Sequence, residues 1–570
     1  MRFIITPTYS DIFDSPAPNE SDLLKEYSSE MMINQAALIN SELYLDDTSL
    51  DNQKRILNFL LRRQPSEDQE RIFKSLDDLE ARRSHSKSTQ RHLIIFSRYY
   101  LLSFIGFLYR NTNEVSHNDS DSTFETSFFK AYLCHVQQLT SDYKISKDTR
   151  DEFDWFRKNS WPFLVNQIHS NTYTNPFDSF IKGLIFLNYF NKHPEYSKIT
   201  RDFLTNVNAD TPWQYSFQIM QAASSAWDNN SGQSFKQFFL KYDTPLFSKF
   251  FEGMALPKRP SSGQVSMDFY SLLKSKPLFE LTEDSFLVLD WDFLVNKLYD
   301  GLIYDFYSNS KISSLGKFPG YVDFKRFTSV EITEKETLKK ILNSIFPRAS
   351  FLAFDEGKGG PDAYVRVGKY IFIFEIKDAY FSSKAILSKE YQKIKEEIDK
   401  KYNTKKSGKK KNKGVWQLIE AINHCKTDTF ESKSFEELRL KRRNLIIYPI
   451  MIYTDKTFSV PGIGQYLIEE FETGIKEQSL HNSFQQIQTL SYIRLDFFLE
   501  NLQVLSRKET SLKTFIDNYI KKRKKLLKNL NELNLFEAND PFEHWIKKPK
   551  GKEESNIRLL ADTFGLLDGN

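Results

Sequence analysis

Cysteine is nearly absent. Cys134 and Cys425 are the only two in 570 residues, and neither has a second thiol at CxxC spacing. A disulfide framework therefore has no support, and a reducing compartment fits. The nine histidines are scattered; His424 and Cys425 adjoin each other without partners at zinc spacing. No GxSxG elbow occurs, so acyl-transfer chemistry has no basis. Long apolar runs are lacking as well. The longest, YYLLSFIGFLY at 99–109, is roughly half of what a membrane span needs and reads as a buried helix. The opening MRFIITPTYSDIFD has too short an apolar patch for a secretory leader. These absences predict a soluble, cytoplasmic protein with no membrane partner. The net charge of +4 is too small to announce a polyanionic partner, which must be argued from local charge.

What is present is the material of packed cores. Apolar residues make up 40% and charged residues 27%, as in folded proteins, and the length exceeds what one core usually organises. We read four regions and no internal repeat. Residues 1–255 are helical, with apolar residues at three- and four-residue intervals and a polar loop at 111–127. Residues 256–320 begin as a linker, LPKRPSSGQVS, and continue into a short hairpin and a helix with Phe293, Leu294, Leu298 and Leu302 on one face. Residues 321–456 mix strands and helices, and 457–570 return to helix. The expected class is a multidomain α+β protein.

The region 321–456 is the most legible. A helix over TEKETLKKILNSIF carries Leu338, Ile341, Leu342 and Ile345 on one stripe. The strands ASFLAFDE, DAYVRVG and YIFIFEIKD follow, the last two joined by a tight turn at Gly368–Lys369. Next come a charged helix over SSKAILSKEYQKIKEEIDKKY, a helix over GVWQLIEAINHCK and a strand over RNLIIYPIMIYTD. Pro449 within that last strand predicts an edge position or a bulge. In YIFIFEIKD, alternation puts Ile371, Ile373, Glu375 and Lys377 on one face and Phe372, Phe374 and Ile376 on the other. Asp362 opens the strand before, and a hairpin brings it alongside Glu375. Two carboxylates placed together repel; a divalent cation with hard oxygen ligands reverses that penalty, and an adjacent lysine suits attack of water on a phosphate.

Pro361–Asp362 followed by Glu375–Ile376–Lys377, on this order of elements, resembles the PD-(D/E)xK nuclease superfamily, over about residues 325–455. The resemblance implies a restriction endonuclease-like core with the order α-β-β-β-α-β. It also implies Mg²⁺ or Mn²⁺ held by Asp362, Glu375 and the backbone carbonyl of Ile376, with Lys377 as the catalytic lysine and Gln417 facing the cleft. It further implies an endonuclease acting on nucleic acid, DNA favoured over RNA, of the kind found in restriction or anti-phage systems. A protein partner or a homodimer would use the helical regions. Five other acid-x-Lys pairs occur, such as Asp142/Lys144 and Glu431/Lys433, but none ends an apolar strand with an aspartate opening the strand before it.

Simpler readings stand beside these. Glu375 and Lys377 also suit a plain ion pair, with Asp362 as a turn aspartate, and Gln417 suits a solvated helix position. Glu334 is the candidate first-helix acid, better placed than Glu331, though an acid in a first turn also favours the helix dipole. Glu336 reads as the far end of a capping box with Thr333. Asp355 and Glu356 are strand-end or turn acids. GKGG is a turn, lacking the spacing of a phosphate-binding loop. Lys405, Lys406, Lys409, Lys410, Lys411 and Lys413, interleaved with Asn, Ser and Gly, read as a mobile loop that contacts phosphates. KKRKKLLKN at 521–529 reads as an exposed helix face. The alternatives to a DNA endonuclease are an inactive nuclease-fold assembly subunit and an RNA-cleaving enzyme.

Overall fold

The computed structural model describes residues 3–566 apart from 45–48, 84–90, 112, 114–120, 142–148, 150, 172–174, 227–237, 242–244, 260–267, 355–359, 408–410, 428–440 and 546–552. Two compact units emerge: one joins Lys144–His169 to Val322–Asn570, and the other contains Arg2–Tyr143 and Ser170–Tyr321. The molecule is a mixed α+β protein. No helix among the described residues is long and apolar enough to cross a membrane.

The second unit is mainly helical, as expected for 1–255, but it also holds a four-stranded sheet. The hairpin read in the lead-in is there, Leu278–Thr282 against Ser285–Val288. The helix expected after it is two shorter ones, Trp291–Asn296 and Asp300–Asn309. A buried ion triad anchors this region: Arg98 donates to Asp290 at 2.5 Å and to Asp292. Pairing is what lets such charges be buried at all.

The first unit carries the candidate site. Its helices include α1 (Glu152–Asn171), the long α2, α3 (Tyr391–Tyr402), α4 (Val415–Lys426), α5 (Ile463–Glu477) and α6 (Ser511–Lys528). Helix α2 runs Tyr321–Thr328, widens to π geometry over Ser329–Leu338 and returns to α geometry over Lys339–Ile345. The strands are β1 (Phe351–Phe354), β2 (Ala363–Val367), β3 (Tyr370–Lys377), β4 (Ile446–Tyr453), β5 (Gln486–Ile487) and β6 (Ser491–Arg494).

The sheet order is β5-β4-β3-β2-β1, with β6 also beside β4. β1, β2 and β3 form an antiparallel meander, whereas β4 lies parallel to β3 after a crossover. Both faces of β3 are buried, which is why its sequence is apolar at successive positions. One face, with Ile371, Ile373, Ile447 and Met451, packs on α3, α4 and α5 and on Trp161 and Val165 of α1. On the other, Phe372 lies 5.3 Å from Phe346 and 5.1 Å from Tyr448, ring to ring. The turn joining β2 to β3 has Gly368 at φ +57°, the left-handed region glycine reaches most cheaply.

Two local expectations are corrected, and of the two placements read for Pro449, an edge or a bulge, the edge is ruled out while the pairing beside it does lapse, with a shift of one residue. Pro449 is not at an edge: it lies in β4, in register with Ile373 of β3. Ile446 N bonds toward β3 and Ile447 O accepts from Gln488 N, so by alternation the missing donor of Pro449 points to the opposite side from β3. There the pairing lapses between β5, whose last partner in β4 is Ile447, and β6, whose first partner is Ile450. No ladder bond is lost. The charged helix over 382–402 is broken into Ser383–Leu387 and α3, with Lys389 at φ +54° between them. The capping box of Thr333 and Glu336 does not form, because α2 begins a dozen or so residues earlier, at Tyr321. Thr333 donates instead to Asp378 at 2.7 Å, and Glu336 pairs with Lys340 at 2.8 Å.

Candidate functional site

The site lies where β3 leaves the sheet. The β2–β3 ladder ends at Ala363 opposite Phe374, so Asp362 stands beside Glu375, as the hairpin count predicted. Asp362 Oδ2 accepts from Ile376 N at 2.6 Å. By alternation the Ile376 carbonyl faces this same side, beyond the last ladder pair.

Glu375 has no exposure to solvent. Its Oε1 accepts from Lys377 Nζ, while Oε2 has no hydrogen-bond partner among the described residues. Burial pushes its carboxyl up to about 8; Lys377 works against that, and the negative charges of Asp362 and Glu334 add to it. Lys377 feels burial in the opposite sense, but Glu375, Asp362 and Glu334 together outweigh it and raise its ammonium. Asp362 and Glu334 push both groups upward, adding to burial at Glu375 and opposing it at Lys377.

Gln417 is brought onto Lys377. It occupies the third position of α4, and its Oε1 accepts both Lys377 Nζ at 2.8 Å and Gly414 N at 2.9 Å. Gly414 has φ +59°, and a Cβ there would lie 2.1 Å from the Tyr402 carbonyl oxygen. No other residue fits this approach, so the glycine sets where α4 begins and where Gln417 points.

Glu334 sits in the π segment, where Lys339 N bonds to Glu334 O five residues back. It is near enough for its charge to act on both Glu375 and Lys377. Glu331 points elsewhere, into an ion pair with Lys335 at 2.7 Å. Widened turns of this kind often accompany functional residues.

Behind the site is a network that sequence reasoning missed. Asp378 accepts from Lys325 Nζ at 2.7 and 2.8 Å, from Thr333 Oγ1 at 2.7 Å and from Thr454 Oγ1 at 2.8 Å. Burial would raise its carboxyl, but Lys325 and the two hydroxyls hold it below the usual aspartate range. The available signal was the parallel ending of two apolar strands in polar residues. Lys377 pairs with Tyr453, which puts Asp378 and Thr454 side by side.

The lysine-rich loop has an ordered base, Asn403–Thr404 antiparallel to Lys413–Gly414. Lys405 is committed to Glu477 at 2.7 Å and lies 4.2 Å from the Trp416 ring centre. Lys406, Lys411 and Lys413 are exposed. Lys409, Lys410, Asp355 and Glu356 lie outside the described residues.

Among the described residues, no three His, Cys, Asp or Glu side chains stand together as a ready metal cage. No protein-family model matches the chain, and no curated protein matches it.

Proposed function

We propose that the chain is a metal-dependent endonuclease of the PD-(D/E)xK type, with a restriction endonuclease-like core in the unit containing β1–β6, hydrolysing nucleic-acid phosphodiesters. The observation that carries this reading is Glu375: a wholly buried carboxylate with one oxygen on Lys377 and the other without a partner among the described residues. An unsatisfied buried polar atom costs about 1–3 kcal/mol, and a structural ion pair would have no need to keep it. Asp362 and Glu334 add negative charge that such a pair would avoid.

The donor set fits a hard cation. Asp362, Glu375 and the Ile376 carbonyl would hold Mg²⁺ or Mn²⁺, with Glu334 as a further ligand directly or through water. Bound there, the cation supplies Lewis acidity at a phosphoryl oxygen and at the leaving oxygen. The chain's own residues do the rest. Glu375 and Gln417 hold the Lys377 ammonium in place, and its remaining N–H can orient a water or a phosphate oxygen. Exposed Lys406, Lys411 and Lys413 offer charge to flanking phosphates. DNA is favoured over RNA through the resemblance, as is a role in restriction or anti-phage defence, and the helical unit would bind a partner or a second copy.

One observation favours a second reading, an inactive assembly subunit: among the described residues the carboxylates do not stand together as a preformed cage. The deciding experiment incubates the protein with supercoiled plasmid, single-stranded DNA and structured RNA, with Mg²⁺, Mn²⁺ or EDTA, beside Glu375→Ala and Lys377→Ala. Metal-dependent cleavage lost in both variants supports the nuclease and names its substrate. Absence of both cleavage and metal binding leaves the assembly reading.

A further inference from the structure

The basic run at 521–528 is more than a solvated helix face. It forms one wall of a groove of about 830 Å³ whose other wall comes from the opposite end of the sheet, with Tyr370, Tyr448, Gln486 and Gln488. Glu375 lies five residues along β3 from Tyr370, or about 17 Å at strand rise. Tyr370 and Tyr448 also belong to the sheet face that Phe372 shares, not the one carrying Glu375 and Lys377. The groove is therefore separate from the candidate catalytic centre.

Its charge is one-sided. Six lysines line it, Lys513, Lys521, Lys522, Lys524, Lys525 and Lys528, against a single carboxylate, Asp517. That carboxylate is already engaged, by Lys513 at 2.6 Å and by the Tyr448 hydroxyl at 3.0 Å. The other five lysines are exposed, and none forms an ion pair with a described carboxylate. Helix α3 of the same unit shows what an ordinary charged helix does: Lys393, Lys395 and Lys401 pair with Glu390, Asp399 and Glu397 at 2.6, 2.6 and 3.0 Å. On α6 the lysines instead neighbour one another at three- and four-residue spacing, where like charges repel. The helix dipole accounts for Lys525 and Lys528 in the last turn, but not for Lys521, Lys522 and Lys524.

We infer that this groove is a second nucleic-acid-binding surface, which holds a run of backbone phosphates away from the site of cleavage. Lys521 to Lys528 spans about 10 Å of helix, enough to face roughly three phosphates of one strand. Gln486 and Gln488, joined to each other by a 3.1 Å amide hydrogen bond, add polar side chains to the lining, and half-buried Tyr370 an aromatic ring. A membrane surface fits less well. Leu512, Ile516 and Ile520 of α6 are buried in the unit, and Leu526 and Leu527 among the lysines are only partly exposed, which leaves no broad apolar face to enter a bilayer. The inference holds whether or not the chain cleaves what it binds.

The test measures binding of a fluorescent single strand and a duplex to the full chain in EDTA, so that cleavage does not enter, across a series of KCl concentrations. One variant combines Lys521→Gln, Lys524→Gln, Lys525→Gln and Lys528→Gln; a control combines Lys406→Gln, Lys411→Gln and Lys413→Gln. The groove variant should bind at least about tenfold more weakly at low salt. Its slope of log affinity against log salt should be shallower by about 2–2.5, since each of the roughly three neutralised phosphates contributes about 0.7–0.9. The proposal falls if affinity and slope stay as in wild type, or if wild type binds neither nucleic acid. It falls equally if the four substitutions abolish binding to phosphatidylserine vesicles while leaving nucleic-acid binding unchanged.

Discussion

Glu375 is the residue on which the functional reading turns, and its titration gives a direct handle. A buried carboxyl raised to about 8 keeps, in the folded protein, a proton that the unfolded chain releases near pH 4.3. Between those values the native state binds more protons than the unfolded state, so stability falls as pH rises and levels off above about 8. Metal-free protein should therefore melt at a lower temperature at pH 8 than at pH 6. Mg²⁺ should raise the melting temperature more at pH 8, where about half of the carboxyls have already lost the proton that the metal displaces, than at pH 6. Glu375→Gln should flatten the profile and remove the metal effect. Scanning calorimetry in EDTA and in Mg²⁺ reads all three; an unchanged pH profile in the Gln variant would sink the assignment of that titration to Glu375.

At the scale of elements, Asp378 ties together α2 and the ends of β3 and β4. Thr333 precedes Glu334 and Asp378 follows Lys377, so the network also sets the spacing of two site residues. Asp378→Asn leaves the Lys325 ammonium, 11% exposed, without its counter-charge. Breaking such a pair costs about 3–5 kcal/mol, which a shifted urea midpoint would report. Adding Lys325→Met should recover part of the loss; no recovery would mean the hydroxyl bonds carry the effect. Sequence legibility divides at the same point. The strands and the Gly368 turn could be read because alternation and glycine preference are local. The course of α2 could not: TEKE reads as a helix start, yet the Thr333 hydroxyl is claimed by Asp378, 45 residues away. Asp362, Glu375, Lys377 and Gln417 were legible because strand register and helix phase bring them together. Lys405 was not read as an ion-pair partner, because Glu477 lies 72 residues away.

At the scale of the whole molecule, the least legible feature is the membership of α1. It reads as one more helix of a helical first half, since periodicity says that a face is buried but not against what. In the structure Trp161 Nε1 donates to the Pro461 carbonyl at 3.0 Å, Asn166 to the Ile386 carbonyl at 2.9 Å, and Arg157 pairs with Glu469 at 2.8 Å. Phe156, Trp161 and Val165 are all fully buried. Each such side chain contributes about 1.5–3 kcal/mol when removed from water, comparable in sum to the whole stability of many domains. A fragment of residues 322–570 should therefore aggregate or unfold without cooperativity, although it holds every strand of the sheet and every candidate site residue. Fusing 150–171 to its start through a flexible linker should restore a cooperative melt, and Trp161→Ala in that fusion should lower the melting temperature again. If the bare fragment melted as sharply and as high as the fusion, α1 would be a passenger on the unit instead of part of its core.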